Sequence, residues 1–171
     1  MHDARPLPAR RLRQFRAQDA WLLALALSVV ALDQLTKWFI RLWVERHESY
    51  PEGGLIRIIH ATNSGAAFGF IQGAAPFLAV VSLVGIAAIL LFLYSPSYAT
   101  HPLMRTGLAL MFGGAVGNLI DRVRAGEVVD FIKLPHYPAF NLADSAITVG
   151  VIALIIATLW ESKTEPASEA T

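Results

Sequence analysis

Asn118-Leu119-Ile120-Asp121-Arg122, then Val129-Asp130-Phe131, then Asn141-Leu142-Ala143-Asp144-Ser145: within one short stretch the chain gathers three aspartates, two asparagines and an arginine. Long apolar segments flank the stretch on both sides. Ionisable side chains are expensive next to lipid, so their placement here marks a functional site by default. Outside this stretch the sequence is a membrane sequence. Of its 171 residues 55% are hydrophobic and only 16% charged, and the mean hydropathy is +0.50. Soluble domains carry about a quarter charged residues. The net charge of +1 gives no reason to expect a nucleic-acid partner. With no cysteine there is no disulfide, thiolate nucleophile or Cys-based metal site. The five histidines (His2, His47, His60, His101, His136) do not share metal-ligand spacing on one helix. No metal or other cofactor is expected.

Four apolar runs, at about 19–40, 76–94, 103–121 and 140–160, have the length a helix needs to cross roughly 30 Å of hydrocarbon. Trp21, Trp38, Trp43, Tyr94, Tyr137 and Trp160 fall near their ends, where interface-seeking aromatics belong. The chain divides into a basic arm (1–18), the four spans, an outer platform (about 41–75) and a polar tail (161–171), all in one membrane domain. A basic arm followed by Trp21–Leu32 also describes a cleavable signal peptide, with Ala24-Leu25-Ala26 as its cleavage site. Three further apolar segments weigh against that. Arg5, Arg10, Arg11, Arg13 and Arg16 favour a cytoplasmic arm by the positive-inside rule. Four crossings return the C-terminus to the cytoplasm. Parity then sets the platform and the 121–139 connection on the outer face, so the polar clusters converge at one end of a helical bundle. In the platform, Leu55–Ile59 is a β-branched run suited to a short strand, and Asn63–Phe70 is small and flexible.

Asn141, Asp144, Ser145 and Thr148 recur at i, i+3, i+4 and i+7, which places them on one helical face. Gly114, Asn118, Asp121 and Arg122 make a similar stripe in the third span. Gly113 and Gly117 form a small-xxx-small pair that lets a helix approach closely. If the stretch around Asp130 folds back onto the bundle, its carboxyl can meet that of Asp144. Two carboxylates at close range share a proton, giving a general base for water beside an acid that polarises a carbonyl. A rival pairing uses Asp121, which the cation next to it argues against; with Arg122 it makes a local anchor for the loop. Asp33 and Lys37, at i and i+4, suit an ion pair pinning the first helix to the platform. His60 and His136 belong to loops. A serine–lysine hydrolase would use Ser64 or Ser145 with Lys37, but no spacing singles it out. A proton- or ion-coupled transporter would use Asp130, Asp144 and Arg122 as a relay, and a scaffold would use the same groups only to lock helices together.

Five blocks carry a resemblance: Asp33-Gln34-Leu35-Thr36-Lys37, Asn63–Phe68, Gly113–Arg122, Val129-Asp130-Phe131 and Phe140–Ala146. In this order they resemble the lipoprotein signal peptidase (signal peptidase II) family. The resemblance implies an all-α, four-transmembrane-helix bundle with a small extracytoplasmic β-cradle and an amphipathic helix. It implies a multi-pass aspartic endopeptidase of the bacterial inner membrane, both termini cytoplasmic and the active site near the outer face. Its partners would be membrane lipids and lipidated prolipoproteins, cut just before the diacylglyceryl-bearing cysteine, and it would act as a monomer. By motif position Asp130 and Asp144 match the catalytic dyad. Asn63, Asn118, Arg122 and Asn141 match residues that line the site. Asp33 and Lys37 match a structural pair, and Asp121 lies outside the dyad. The connection from Phe131 to Phe140 is shorter than in many members of the family, so no binding role passes to Lys133 or His136.

Overall fold

The computed structural model of the chain describes residues 17–46, 48–65, 75–95 and 101–164. Its elements run α1 (Ala17–Trp43), β1 (Ser49–Tyr50), β2 (Arg57–Asn63), α2 (Ala75–Leu93), α3 (Pro102–Ala125), β3 (Val128–Lys133) and α4 (Leu142–Thr164). All four helices are long and apolar enough to cross a membrane. α1 and α3 enclose the expected spans and run up to a turn beyond them, whereas α2 sits one residue earlier than expected and α4 begins two residues later and ends about a turn later. Caps and polar flanks as well as hydrophobicity set these ends. His101 caps α3, its imidazole Nδ1 accepting from the Met104 N–H. At the other end Gly126, at φ 72°, takes the left-handed conformation that stops a helix. The chain then turns back into β3.

α3 is the centre of the bundle: α1, α2 and α4 each pack against it. Half of its membrane-length window is buried, against 6% for α2, which touches little else. Most large apolar side chains therefore face outward, Leu27, Leu91 and Ile155 among them. A contiguous apolar surface of this extent suits lipid rather than water.

Two sets of glycines set the helix spacing. Gly107 of α3 and Gly150 of α4 lie back to back, a Cβ on Gly107 coming within 2.7 Å of the Gly150 carbonyl oxygen. Gly114 likewise abuts Ala143 and Ile147 of α4. The small-xxx-small pair Gly113 and Gly117 does admit a close neighbour, and that neighbour is mainly α1. Gly113 meets Ala26 and Val29, and Gly117 meets the Asp33 carboxyl, so this face receives α1. Glycines one residue apart point about 100° apart on a helix, and Gly113-Gly114 uses that to admit two partners.

The strands form one antiparallel sheet in the order β1-β2-β3 at the α3 C-terminal end of the bundle. The strand expected at Leu55–Ile59 begins later and runs further. Leu55 and Ile56 sit exposed in the preceding bend, and β2 takes Arg57–Asn63, including His60. Pairing with β3 sets this register, from Arg57 opposite Lys133 to Asn63 opposite Val128, with an irregularity between Ile58 and Ala61. Ile40, Val129 and Phe131 form a small core with Val44, Ile58, Ile132 and Leu142, gluing the sheet to the ends of α1 and α4. The amphipathic helix expected in the platform has no counterpart among the described residues; residues 66–74 lie outside them.

Substituting Gly107→Ala should force α3 and α4 apart and cost about 1–3 kcal/mol. Gly85→Ala on α2, where a Cβ meets nothing within 4 Å, should be neutral or stabilising by under ~1 kcal/mol. Equilibrium unfolding in detergent micelles measures both. Equal stabilities would contradict the packing described.

Candidate active site

β3 presents Asp130 between Val129 and Phe131. Alternation along the strand points those two into the small core and the carboxyl the opposite way, towards the Asn141 and Asn63 amides. From β3 the chain makes a tight excursion through 134–139, with His136 at φ 58° in its turn. It returns so that Phe140 pairs with Ile132: Ile132 N–H donates to the Phe140 oxygen at 2.8 Å, and Phe140 N–H donates back at 3.0 Å. The short connection therefore sets Asn141 directly beside Asp130.

Asn141 is fully buried and uses both ends of its amide. Its Nδ2 donates to Asp130 Oδ1 at 2.8 Å and to Asn118 Oδ1 at 3.1 Å. Its Oδ1 accepts from the Asp144 backbone N–H at 2.9 Å, while its own backbone N–H donates to Asp144 Oδ2 at 3.2 Å. The last two bonds form a reciprocal cap at the start of α4, of the kind in which an N-cap side chain and an acidic side chain three residues on satisfy each other's N–H groups. One residue thus bonds both carboxyls. Asp144 receives a second donor, Asn118 Nδ2, at 2.7 Å. Asp130 receives Asn63 Nδ2 at 3.3 Å from β2.

The two carboxyls have unlike surroundings. Asp130 is 3% exposed, whereas Asp144 is half-buried. Burial, followed by the charge of Asp144, pushes the Asp130 carboxyl up to about 6, against the opposing pull of Asn141, Asn63 and Lys37. Asp144 lies in the first turn of α4, where it accepts from the Asn118 amide and the Asn141 backbone N–H.

Behind this pair lies a second cluster, fully buried. Lys37 Nζ donates to Asp33 Oδ2 at 2.8 Å, Asp121 Oδ2 at 2.8 Å and Asn118 Oδ1 at 3.0 Å. Asp33 also accepts from the Ala143 N–H at 3.0 Å, which holds the start of α4. The expected Asp33–Lys37 pair forms, but it pins α1 to α3 and α4 rather than to the sheet. Asp121 departs from expectation in its partners. Lys37 and Arg41 are its cations, Arg41 Nη2 at 2.9 Å, and the adjacent Arg122 is not. Successive residues on a helix point about 100° apart. Arg122 instead reaches Ser82 Oγ of α2 at 3.4 Å, and its buried Nε has no hydrogen-bond partner among the described residues.

The structure thus gathers Asn63, Asn118, Asp130, Asn141 and Asp144 into one hydrogen-bonded group, with Asp33, Lys37 and Asp121 behind it and Arg122 at its α2 side. The sequence signals that could have located Arg41 and Ser82 were weak. Arg41 lies a turn beyond Lys37, on the same helical face, whereas nothing distinguishes Ser82 from any serine in an apolar helix. Ser64 is exposed and Ser145 Oγ donates to the Asn141 carbonyl at 3.0 Å; no bond joins either to Lys37. At the opposite end of the bundle Asp19 and Arg105 form an ion pair between α1 and α3, beside an apolar cavity of about 460 Å³.

Comparison with known proteins places the chain in a family. Residues 25–160 match the family model described as Signal peptidase (SPase) II. A lipoprotein signal peptidase of Moorella thermoacetica is 48% identical over 134 residues, 77% of this chain and 88% of that one. One from Desulforapulum autotrophicum is 45% identical over 138 residues, 74% and 84% of the two chains. A bacterial membrane enzyme solved by the in meso method at 2.3 Å superposes with a TM-score of 0.77 at 34% identity, over 89% of this chain and 95% of that one. Family model, relatives and the four membrane-length helices agree: this multi-pass membrane protein belongs to the signal peptidase II family.

Proposed function

We propose that the protein is a membrane-embedded aspartic endopeptidase that removes signal peptides from diacylglyceryl-modified prolipoproteins, cleaving just before the lipidated cysteine. The observation that carries this is Asn141, whose amide and backbone N–H bond both Asp130 and Asp144. The relatives named above are lipoprotein signal peptidases, which supplies the substrate class.

The unlike surroundings of the two carboxyls assign their roles. Asp144, with two donors at a helix N-terminus, is the carboxylate that takes a proton from water. Asp130, buried, holds the proton and hydrogen-bonds the scissile carbonyl oxygen. Water oxygen bonds to the carbonyl carbon to give a tetrahedral intermediate. As that collapses, the C–N bond breaks, the cysteine amine takes the proton held on Asp144, and one proton remains on the pair. No covalent enzyme intermediate and no metal enter these steps. Asn63 and Arg122 line the peptide's path. The unpartnered Arg122 Nε, on the residue that reaches Ser82 of α2, suits a peptide carbonyl arriving from lipid on that side.

In this reading the sheet is a cradle on the outer face of the bacterial inner membrane, with residues 1–18 and 161–171 cytoplasmic. The signal-peptide helix then lies in the bilayer while its scissile bond meets water at the surface. The enzyme works as a monomer, in contact with membrane lipids.

Asp130→Asn and Asp144→Asn, each nearly isosteric, should cut cleavage of a diacylglyceryl-modified precursor on the order of 10³-fold or more while the protein still inserts. The assay is purified protein in lipid with the precursor followed by gel shift. Retention of most activity by either variant would reassign the site to a scaffolding role.

The pH dependence follows from the Asp130 proton. Activity requires it, so kcat/KM should fall as pH rises through about 6. Asn63→Leu removes a donor that favours the charged form, so Asp130 should keep its proton to higher pH and the alkaline limb should move upward. A limb that stays put or moves down would contradict Asp130 as the proton holder.

A further inference from the structure

An asparagine amide has one accepting and one donating end of almost the same shape, so its chemical neighbours decide which way it faces. Asn118 stands between two groups with opposite demands. Towards α1 is the Lys37 ammonium, which has three N–H donors and no acceptor. Towards α4 is the Asp144 carboxyl. Lys37 is fully buried, and its three donors go to Asp33, Asp121 and Asn118 Oδ1. Asn141 Nδ2 donates to the same Asn118 oxygen. Both lone pairs of that oxygen are thereby occupied, and the amide nitrogen is left facing Asp144 Oδ1 at 2.7 Å. Turned over, Asn118 would set an NH₂ against an ammonium and a carbonyl oxygen against a carboxylate.

We infer that Lys37 is a positioning residue for catalysis: by holding Asn118 Oδ1 it obliges the Asn118 amide to donate to Asp144, and so keeps Asp144 the member of the pair that receives the proton from water. This rests on the aspartic dyad proposed above and adds to it a group that touches neither substrate nor dyad. A donor to a carboxylate stabilises its charged form, whereas an acceptor in the same place obliges it to hold a proton. With two protonated acids at the site, water has no base. Lys37 also has a purely structural task, balancing Asp33 and Asp121, so the test must separate the two.

Lys37→Met alone would strand two buried carboxylates. The pair Asp33→Asn with Lys37→Met removes one charge of each sign and keeps an acceptor for the Ala143 N–H, while Asp121 keeps Arg41. A cycle over wild type, D33N/K37M, N118L and D33N/K37M/N118L, with D33N as control, measures whether the lysine acts through the amide. The readouts are kcat and KM on a diacylglyceryl-modified precursor. D33N/K37M should lose kcat on the order of 10- to 100-fold with KM almost unchanged, and D33N alone should lose far less. Once Asn118 is leucine, removing Lys37 should cost no further kcat. Additive losses, or near wild-type kcat for D33N/K37M, would overturn the inference.

Should D33N/K37M fail to fold, Asn118→Asp decides the matter with Lys37 in place. Its carboxylate satisfies Lys37 and Asn141 but offers Asp144 only an acceptor. A folded enzyme with kcat down on the order of 100-fold is expected, and near wild-type kcat would overturn the role. Failure of the parent reading is distinguishable: wild-type protein that does not cleave the precursor, or D144N that does, removes the dyad itself.

Discussion

A lysine ammonium with no water around it must find protein acceptors for all its protons, and at Lys37 that requirement organises the bundle. Its partners come from α1 and α3, and Asp33 extends the cluster to the first turn of α4 through the Ala143 N–H. Three helices are therefore registered to one another at a single depth. Gly117 permits this by leaving room for the Asp33 carboxyl against α3. Such clusters stabilise little in net terms, since desolvation offsets the attraction, but they penalise every arrangement that leaves one member alone. Here the result is specificity of register, and it reaches the candidate active site through Asn118.

From that base the site is assembled by short-range devices. A left-handed glycine ends α3 and starts β3; a brief turn pairs Phe140 with Ile132; a reciprocal cap begins α4. Each uses backbone groups that a helix or strand end must satisfy in any case. Asp144 is held by the groups that cap its own helix, and Asp130 by its place in a strand, so neither carboxyl depends on a flexible loop.

Much of this was legible in the sequence. Long apolar runs announce four helices because the bilayer demands about twenty apolar residues, and carboxylates in or beside such runs announce a site. The i, i+3 spacing of Asn141 and Asp144 announced a shared helical face. Other features depend on three-dimensional neighbours. Leu55–Ile59 and Arg57–Asn63 offer comparable strand material, and only pairing with β3 chooses between them. Gly113 and Gly114 look equivalent in sequence, yet one admits α1 and the other α4. Asp121 stands next to Arg122 along the chain but faces Lys37 and Arg41 across helices. The orientation of the Asn118 amide cannot be read from a string of letters at all.

In the function proposed, Asp130 and Asp144 jointly grip the tetrahedral centre formed when water adds to the scissile carbonyl. A lipopeptide whose scissile amide is replaced by a secondary alcohol mimics that centre, and the same lipopeptide with a plain methylene does not. The most direct measurement is the affinity of each for wild type, Asp130→Asn and Asp144→Asn in lipid. The alcohol should bind wild type on the order of 10²-fold or more tighter than the methylene compound, as transition-state mimics do, and either substitution should erase most of that preference. Equal affinity of the two compounds for the wild-type protein would contradict the account.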